Sequence, residues 1–191
     1  MRIAVTGHRP DKLGGYDRNT PTRAHLRHAF RTLLLSLVAD AWCRGDRQVE
    51  VITGRALGID QDFAGVAVRA GVPYALYVPF PGQERLWPAE AQRTYAELVK
   101  RASRVVLCAD SAPSGHGDAG RLLLARNKRM VDDADVVVAA WDGSTGGTSH
   151  CVRYAMSRGR RVYNLMSDMM SRRGEWEMQA RRAAKDGVWC G

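Results

Sequence analysis

Val136-Val137-Val138-Ala139-Ala140-Trp141-Asp142-Gly143-Ser144-Thr145-Gly146-Gly147-Thr148 is the stretch whose reading decides the fold of this chain. The unbroken apolar run at 136–141 reads as a strand buried on both faces. Three glycines follow within seven residues, among Ser144, Thr145 and Thr148, and a helical pattern then runs to about Arg158. The order is therefore strand, glycine-rich turn, helix start. Glycine admits positive φ and lets a ligand approach the main chain closely. The first N–H groups of a helix are unpaired and lie at the positive end of its dipole. An anion, most often a phosphate, fits there. A plain turn without a ligand would show the same order, but the density of glycine and hydroxyl residues favours the phosphate reading.

Working outward, the same unit recurs along the chain. Residues 2–6 read as a strand that ends in Gly7-His8-Arg9-Pro10, and Pro10 with Gly14-Gly15 predicts a loop free of regular structure. From about residue 22, Leu26, Phe30, Leu33, Leu34, Leu37, Val38 and Ala41 recur at helical spacing until Gly45. A strand at 49–53 leads into Gly54-Arg55-Ala56-Leu57-Gly58-Ile59-Asp60 and a helix to about residue 70. A strand at 74–78, a loop carrying Trp87, and a helix marked by Ala91, Tyr95, Leu98, Val99 and Ala102 come next. A strand at 104–108, a glycine- and serine-containing loop, a helix at about 119–133 and, beyond the quoted unit, a strand at 161–165 complete the pattern. Residues 1–167 thus read as one Rossmann-like domain of the α/β class, a doubly wound, mostly parallel sheet with helices on both faces. Residues 168–191 read as a tail with a short helix at about 175–185, part of that domain or appended to it. Ligands bind such sheets outside the carboxyl ends of the strands, near the switch in strand order. Each unusual loop, after strands one to five, falls on that edge.

At 191 residues the chain suits one domain with a substantial core. No apolar run approaches the roughly 20 residues of a membrane span. The strand-like start leaves no room for a signal peptide, so a cytoplasmic protein with no membrane partner is expected. Cys43, Cys108, Cys151 and Cys190 form no C-x-x-C pair and read as reduced thiols, with no metal site indicated. The formal charge of +9 is nearly all arginine, spread from Arg2 to Arg182. Such a spread argues for anionic ligands before it argues for DNA.

The loops supply candidate ligand contacts. Residues 54–60 can form a second anion nest around Arg55, with Asp60 either capping the following helix or contacting a ribose. Arg9 can clamp a phosphate bidentately, and His8 can donate to a hydroxyl or act as a base; surface charge is the alternative for each. Asp142 can cap the turn or contact a ligand hydroxyl. Arg126 is a further candidate beside Asn127, and on a helix only one of the two is expected to face the site. Trp87 reads as packing over the sheet's end, with base stacking the alternative. His25 and His28 read as solvated surface. No nucleophile with an activating base and no carboxylate pair placed for acid–base work is evident. The residues alone point to a nucleotide-like ligand with no cofactor, and leave catalysis undecided.

Thr6-Gly7-His8-Arg9-Pro10, Thr53-Gly54-x-Ala56-x-Gly58-Ile59-Asp60, Arg126-Asn127 and Gly146-Gly147-Thr148, in this order, resemble the SLOG superfamily, in particular its YpsA-like branch. That superfamily unites DNA-processing protein A with the Lonely Guy phosphoribohydrolases, and the resemblance covers residues 1–165. It implies a nucleotide or nucleotide-derived ligand such as ADP-ribose, held at Gly7, Arg9, Gly54, Gly58, Asp60, Gly146, Gly147 and Thr148; the reading of the loops themselves adds His8, Arg55, Asp142 and Gly143. Lonely Guy enzymes carry an arginine ahead of the last strand and a glutamate three residues after the loop's threonine. Arg126 is similar to the first, whereas Cys151 stands at the second. The carboxylate that would stabilise an oxocarbenium ion is therefore missing there, with His150 and Asp142 the nearest substitutes. A sensor or regulatory binding protein is the leading expectation. A nucleotide N-glycosidase using Arg126, and a single-stranded DNA-binding protein similar to DNA-processing protein A, are the alternatives. Against the last, the chain has no space for that protein's flanking domains and shows no interleaving of basic and aromatic residues. The resemblance also allows a homodimer.

Overall fold

In a computed structural model, residues 1–54 and 56–167 are described, and they form one parallel sheet with helices on both sides. Arg55 and residues 168–191, with the expected tail helix, lie outside the described residues. The chain order is β1 (Arg2–Gly7), α1 (Pro21–Cys43), β2 (Glu50–Thr53), α2 (Ile59–Arg69), β3 (Tyr74–Val78), α3 (Ala89–Arg101), β4 (Arg104–Leu107), α4 (His116–Asp132), β5 (Val136–Ala140), α5 (Gly147–Ser157) and β6 (Arg161–Asn164). The strands lie in the order β4-β3-β2-β1-β5-β6, and every neighbouring pair is parallel.

Alternation along the strands divides the core in two. Ile3 and Val5 of β1 and Val138 and Ala140 of β5 pack with Leu26, Phe30 and Leu34 of α1 and Phe63 and Ala67 of α2. Ala4 and Val137, facing the other way, pack with Met130 and Val131 of α4 and Cys151 and Ala155 of α5. Successive strand residues point to opposite faces, so each strand serves both clusters. The central strands are buried on both sides for that reason, and read as apolar runs instead of alternating patterns. Phe30 stacks on Phe63 at 4.2 Å between ring centroids, joining α1 to α2.

The connections follow from this division. Chain growth from β1 to β4 moves one way with α1 and α2 on one face; α4 then crosses to the other face, and β5 and β6 build outward from β1 on its free side. The switch in strand order lies between β1 and β5. Helix α1 is started by Thr20, whose side chain accepts from the Arg23 N–H, and by Pro21, whose fixed φ suits the first turn.

Two local expectations shift. A 3-10 turn forms at Pro10–Lys12, where the proline and glycines predicted no regular structure, because proline presets φ for a first helical turn. Helix α4 begins at His116, ahead of the expected position near 119, with the Asp118 carboxylate accepting from the Ser114 N–H just before it.

Candidate ligand-binding site

A cleft of about 600 Å³ opens at the carboxyl ends of β1, β2 and β5, at the switch point. Thr6, Gly7, His8 and Arg9 bring the end of β1 to it, Ala56 and Asp60 the start of α2, and residues 144–148 with His150 the start of α5. Helix α4 closes the far side with Gly120, Leu123, Leu124, Arg126 and Asn127. A wider depression of about 1,020 Å³ lies at the opposite, amino end of the sheet, beside Met1, Val49 and Asp135. The carboxyl-end cleft is the candidate site, because the glycine turns and the unpaired buried groups described next converge there.

Arg126 is the central group. Its side chain is only 3% exposed, yet neither Nε nor Nη1 has a hydrogen-bond partner among the described residues. A buried guanidinium without acceptors is costly unless something supplies them. Gly54 makes its position attainable: a Cβ there would lie 1.1 Å from Arg126 Nη1. His150 presents a further buried nitrogen, Nδ1, without a partner among the described residues, on the α5 side of the cleft.

Asp60 lies in the same cleft and is 6% exposed. Burial pushes its carboxyl up to about 6, against the pull of the Arg126 guanidinium and a hydrogen bond from the Ala56 N–H at 3.3 Å. Burial also lowers the Arg126 pKa, with Asp60 opposing. The guanidinium stays protonated near neutrality all the same, since its starting value lies so high.

The turn after β5 is built by Asp142. Its Oδ1 accepts from the Ser144 N–H at 2.9 Å and from the Ser144 hydroxyl. His8, 5% exposed, places Nε2 3.0 Å from the Asp142 N–H and 2.8 Å from Asp142 Oδ1. Burial alone would raise the Asp142 carboxyl, but the Ser144 bonds and His8 hold it down at about 2. Lys12 Nζ donates to Ser144 Oγ across the mouth of the cleft. Past this turn, Gly146 takes φ +142° as the N-cap of α5, and among the described residues neither Gly146 nor Gly147 has a neighbour within 4 Å of a Cβ position. The helix start is thus open to an incoming anion.

Of the residues read from sequence, Gly7, His8, Arg9, Asp60, Arg126, Gly146, Gly147 and Thr148 line the cleft together. Gly54, Gly58, Asp142 and Gly143 are not on its wall. Gly58 takes φ +105°, and a Cβ on it would meet the His8 carbonyl oxygen at 2.4 Å, so it seats the β2 loop against the β1 loop. Gly7 lines the cleft and also packs against α2: a Cβ on it would lie 2.5 Å from Ile59 Cγ2. Arg126 and Asn127 both line the cleft, where one alone was expected, because the cleft wraps round the side of α4. Asn127 Nδ2 reaches the Gly147 carbonyl at 3.5 Å. Trp87 packs edge-on to Tyr95 at 5.5 Å and takes no part in the cleft. Sequence reading missed the apolar wall of Leu123 and Leu124; their spacing from Arg126 and Asn127 on one helix was its signal.

Residues 3–170 match the family model described as the YspA SLOG family. The chain belongs to the YspA SLOG family. Among curated relatives, this SLOG chain is 24% identical over 161 residues to the SPbeta prophage-derived protein YoqJ of Bacillus subtilis (strain 168), covering 78% of this chain and 91% of that one. It is 24% identical over 172 residues to a UPF0398 protein of Bacillus thuringiensis (strain Al Hakam), covering 86% and 87%. Solved structures share its fold. DNA processing protein A from Streptococcus pneumoniae superposes with a TM-score of 0.56 at 17% identity, over 84% of this chain and 48% of that one. DNA processing protein A from Helicobacter pylori, solved for its single-stranded DNA binding mode, superposes with a TM-score of 0.57 at 15% identity, over 90% and 72%. The X-ray structure of TM1055 gives 0.52 at 17% identity, over 84% and 71%.

Cys151 stands three residues after Thr148. It is 1% exposed, packed in the core under α5, and burial pushes its thiol up to about 11. The side chain at this position belongs to the core. Among the described residues, no three His, Cys, Asp or Glu side chains gather as a metal site, and no helix is long and apolar enough to cross a membrane.

Proposed function

We propose that this SLOG protein binds a nucleotide or nucleotide-derived ligand, ADP-ribose-like in its combination of phosphates and base, and acts as a sensor or regulatory binding protein. The observation that carries the reading is the buried Arg126 guanidinium, whose Nε and Nη1 lack partners among the described residues, in the cleft that the α5 start also lines. Phosphate oxygens accept from a planar guanidinium and from helix N–H groups, so one anionic group satisfies both. Leu123 and Leu124 offer an apolar wall for a base, and the polar groups beside them orient it. The buried Cys151 supports binding over glycosidic hydrolysis, since that position offers no carboxylate to the cleft.

The test is a thermal-shift screen against AMP, ADP, ATP, NAD, ADP-ribose, cyclic nucleotides and a single-stranded oligonucleotide. A ligand that binds only the folded state raises the melting temperature by mass action. A shift with one nucleotide class, with no base released on incubation, supports the reading. A shift with the oligonucleotide alone, steeply weakened by salt, replaces it with a single-strand-binding role.

A further inference from the structure

On the other side of the loop at residues 57–61 lies a second pocket, of about 820 Å³, between α1, α2 and the start of α3. The two pockets share that loop: Asp60 lines the cleft, whereas Gly58 and Gln61 line this second pocket. Its floor is an uneven charge cluster. Asp62 is 0% exposed and serves three guanidiniums, Arg23 at 2.7 Å, Arg18 at 3.2 Å and Arg27 at 3.8 Å. One carboxylate balances one of the three. Asp17 and Glu90 also line the pocket, but both are exposed, where solvent and salt screen their charge. Arg69, at the rim, pairs with no carboxylate of the described residues.

The second observation is Gln61. It is 4% exposed and lines the pocket, and its Nε2 has no acceptor among the described residues. A buried amide donor beside surplus guanidinium charge lacks the same thing the cluster lacks, an oxyanion. We propose that this pocket is a second anion site, separate from the cleft, that takes a phosphate or diphosphate group of a small molecule. Its volume falls in the range of about 300–1,000 Å³ usual for small-ligand pockets, so it admits more of the molecule than the phosphate alone.

Inorganic pyrophosphate titrated calorimetrically into the full chain provides the test, with Gly147→Val used to disable the cleft. Binding persists in Gly147→Val. Adding Gln61→Leu to that variant weakens it at least tenfold while the melting temperature holds or rises, because the leucine removes an unsatisfied buried amide. Adding Arg69→Glu instead, an exposed change with no partner to lose, weakens it by a similar factor. If the parent chain binds pyrophosphate and Gly147→Val does not, all anion binding belongs to the cleft and the inference falls while the cleft reading stands; if neither binds it, the inference falls as well. Either added substitution leaving the affinity within twofold also overturns it. Displacement of pyrophosphate by a lower concentration of a single-stranded oligonucleotide would overturn the small-molecule assignment.

Discussion

Gly54 and Arg126 occupy one space: a Cβ on the glycine would lie 1.1 Å from the guanidinium Nη1 and 2.1 Å from Cζ. Gly54 therefore positions the cleft's buried cation without lining the cleft itself. Gly54→Ala should expel the guanidinium from its seat and abolish ligand binding. The fold has a route to relax, through the far end of a flexible side chain, so the expected loss of stability is only about 1–2 kcal/mol. Calorimetric titration beside a urea melt separates the two effects; intact affinity would show that Arg126 does not need this seat.

Arg126→Met keeps the length of the side chain and removes the unpartnered donors. Relief of the two buried nitrogens that lack acceptors among the described residues opposes the loss of the attraction to Asp60, so stability should change by no more than about 1–2 kcal/mol. Affinity for a phosphate-bearing ligand should fall at least about a hundredfold, the loss of a charge-assisted bidentate contact. A variant that is clearly destabilised yet binds with normal affinity in its folded state would mean that Arg126 is structural.

Asp60 makes stability depend on pH. Its carboxyl is raised from 3.8 to about 6 in the folded chain, so between those values the native state holds more protons than the unfolded one. Stability should therefore fall as pH rises through that window, by up to about 3 kcal/mol above pH 6. Asp60→Asn should flatten this slope, leaving the variant the more stable of the two at pH 7. Urea melts of both proteins at pH 4.5 and pH 7 measure it, and parallel slopes would contradict the assignment.

Arg23, 3% exposed, holds the buried Asp62 with Nε at 2.7 Å and the Tyr16 and Asp17 carbonyls with Nη1 at 3.3 Å each. Arg23→Met leaves Asp62 its two more distant guanidiniums. The expected cost is about 3 kcal/mol, that of a buried charge deprived of its closest partner. Replacing Asp62 as well, with Asn, should recover part of it, and a double-mutant cycle measures the coupling.

The sequence by itself determined the order of strands and helices, the doubly wound class, the glycine turn before α5 and the candidacy of Arg126. These rest on short-range regularities: apolar runs, helical spacing, and turn residues with special φ. Even the small discrepancies, a 3-10 turn at Pro10–Lys12 and an earlier start to α4, arise at element ends. Only the tertiary structure decided what those residues do. Gly54 reads as a ligand contact from its loop and proves to be the seat of Arg126, a residue 72 positions away. Asp142 reads as either a turn cap or a ligand contact, and the fold uses it in the turn, where it is engaged by Ser144 and His8. Asp62 gave no signal beyond its place in a first helical turn, yet three arginines converge on it. Such contacts depend on which strands lie side by side, and the order β4-β3-β2-β1-β5-β6 is set by the summed packing of both helical layers, which no local stretch encodes.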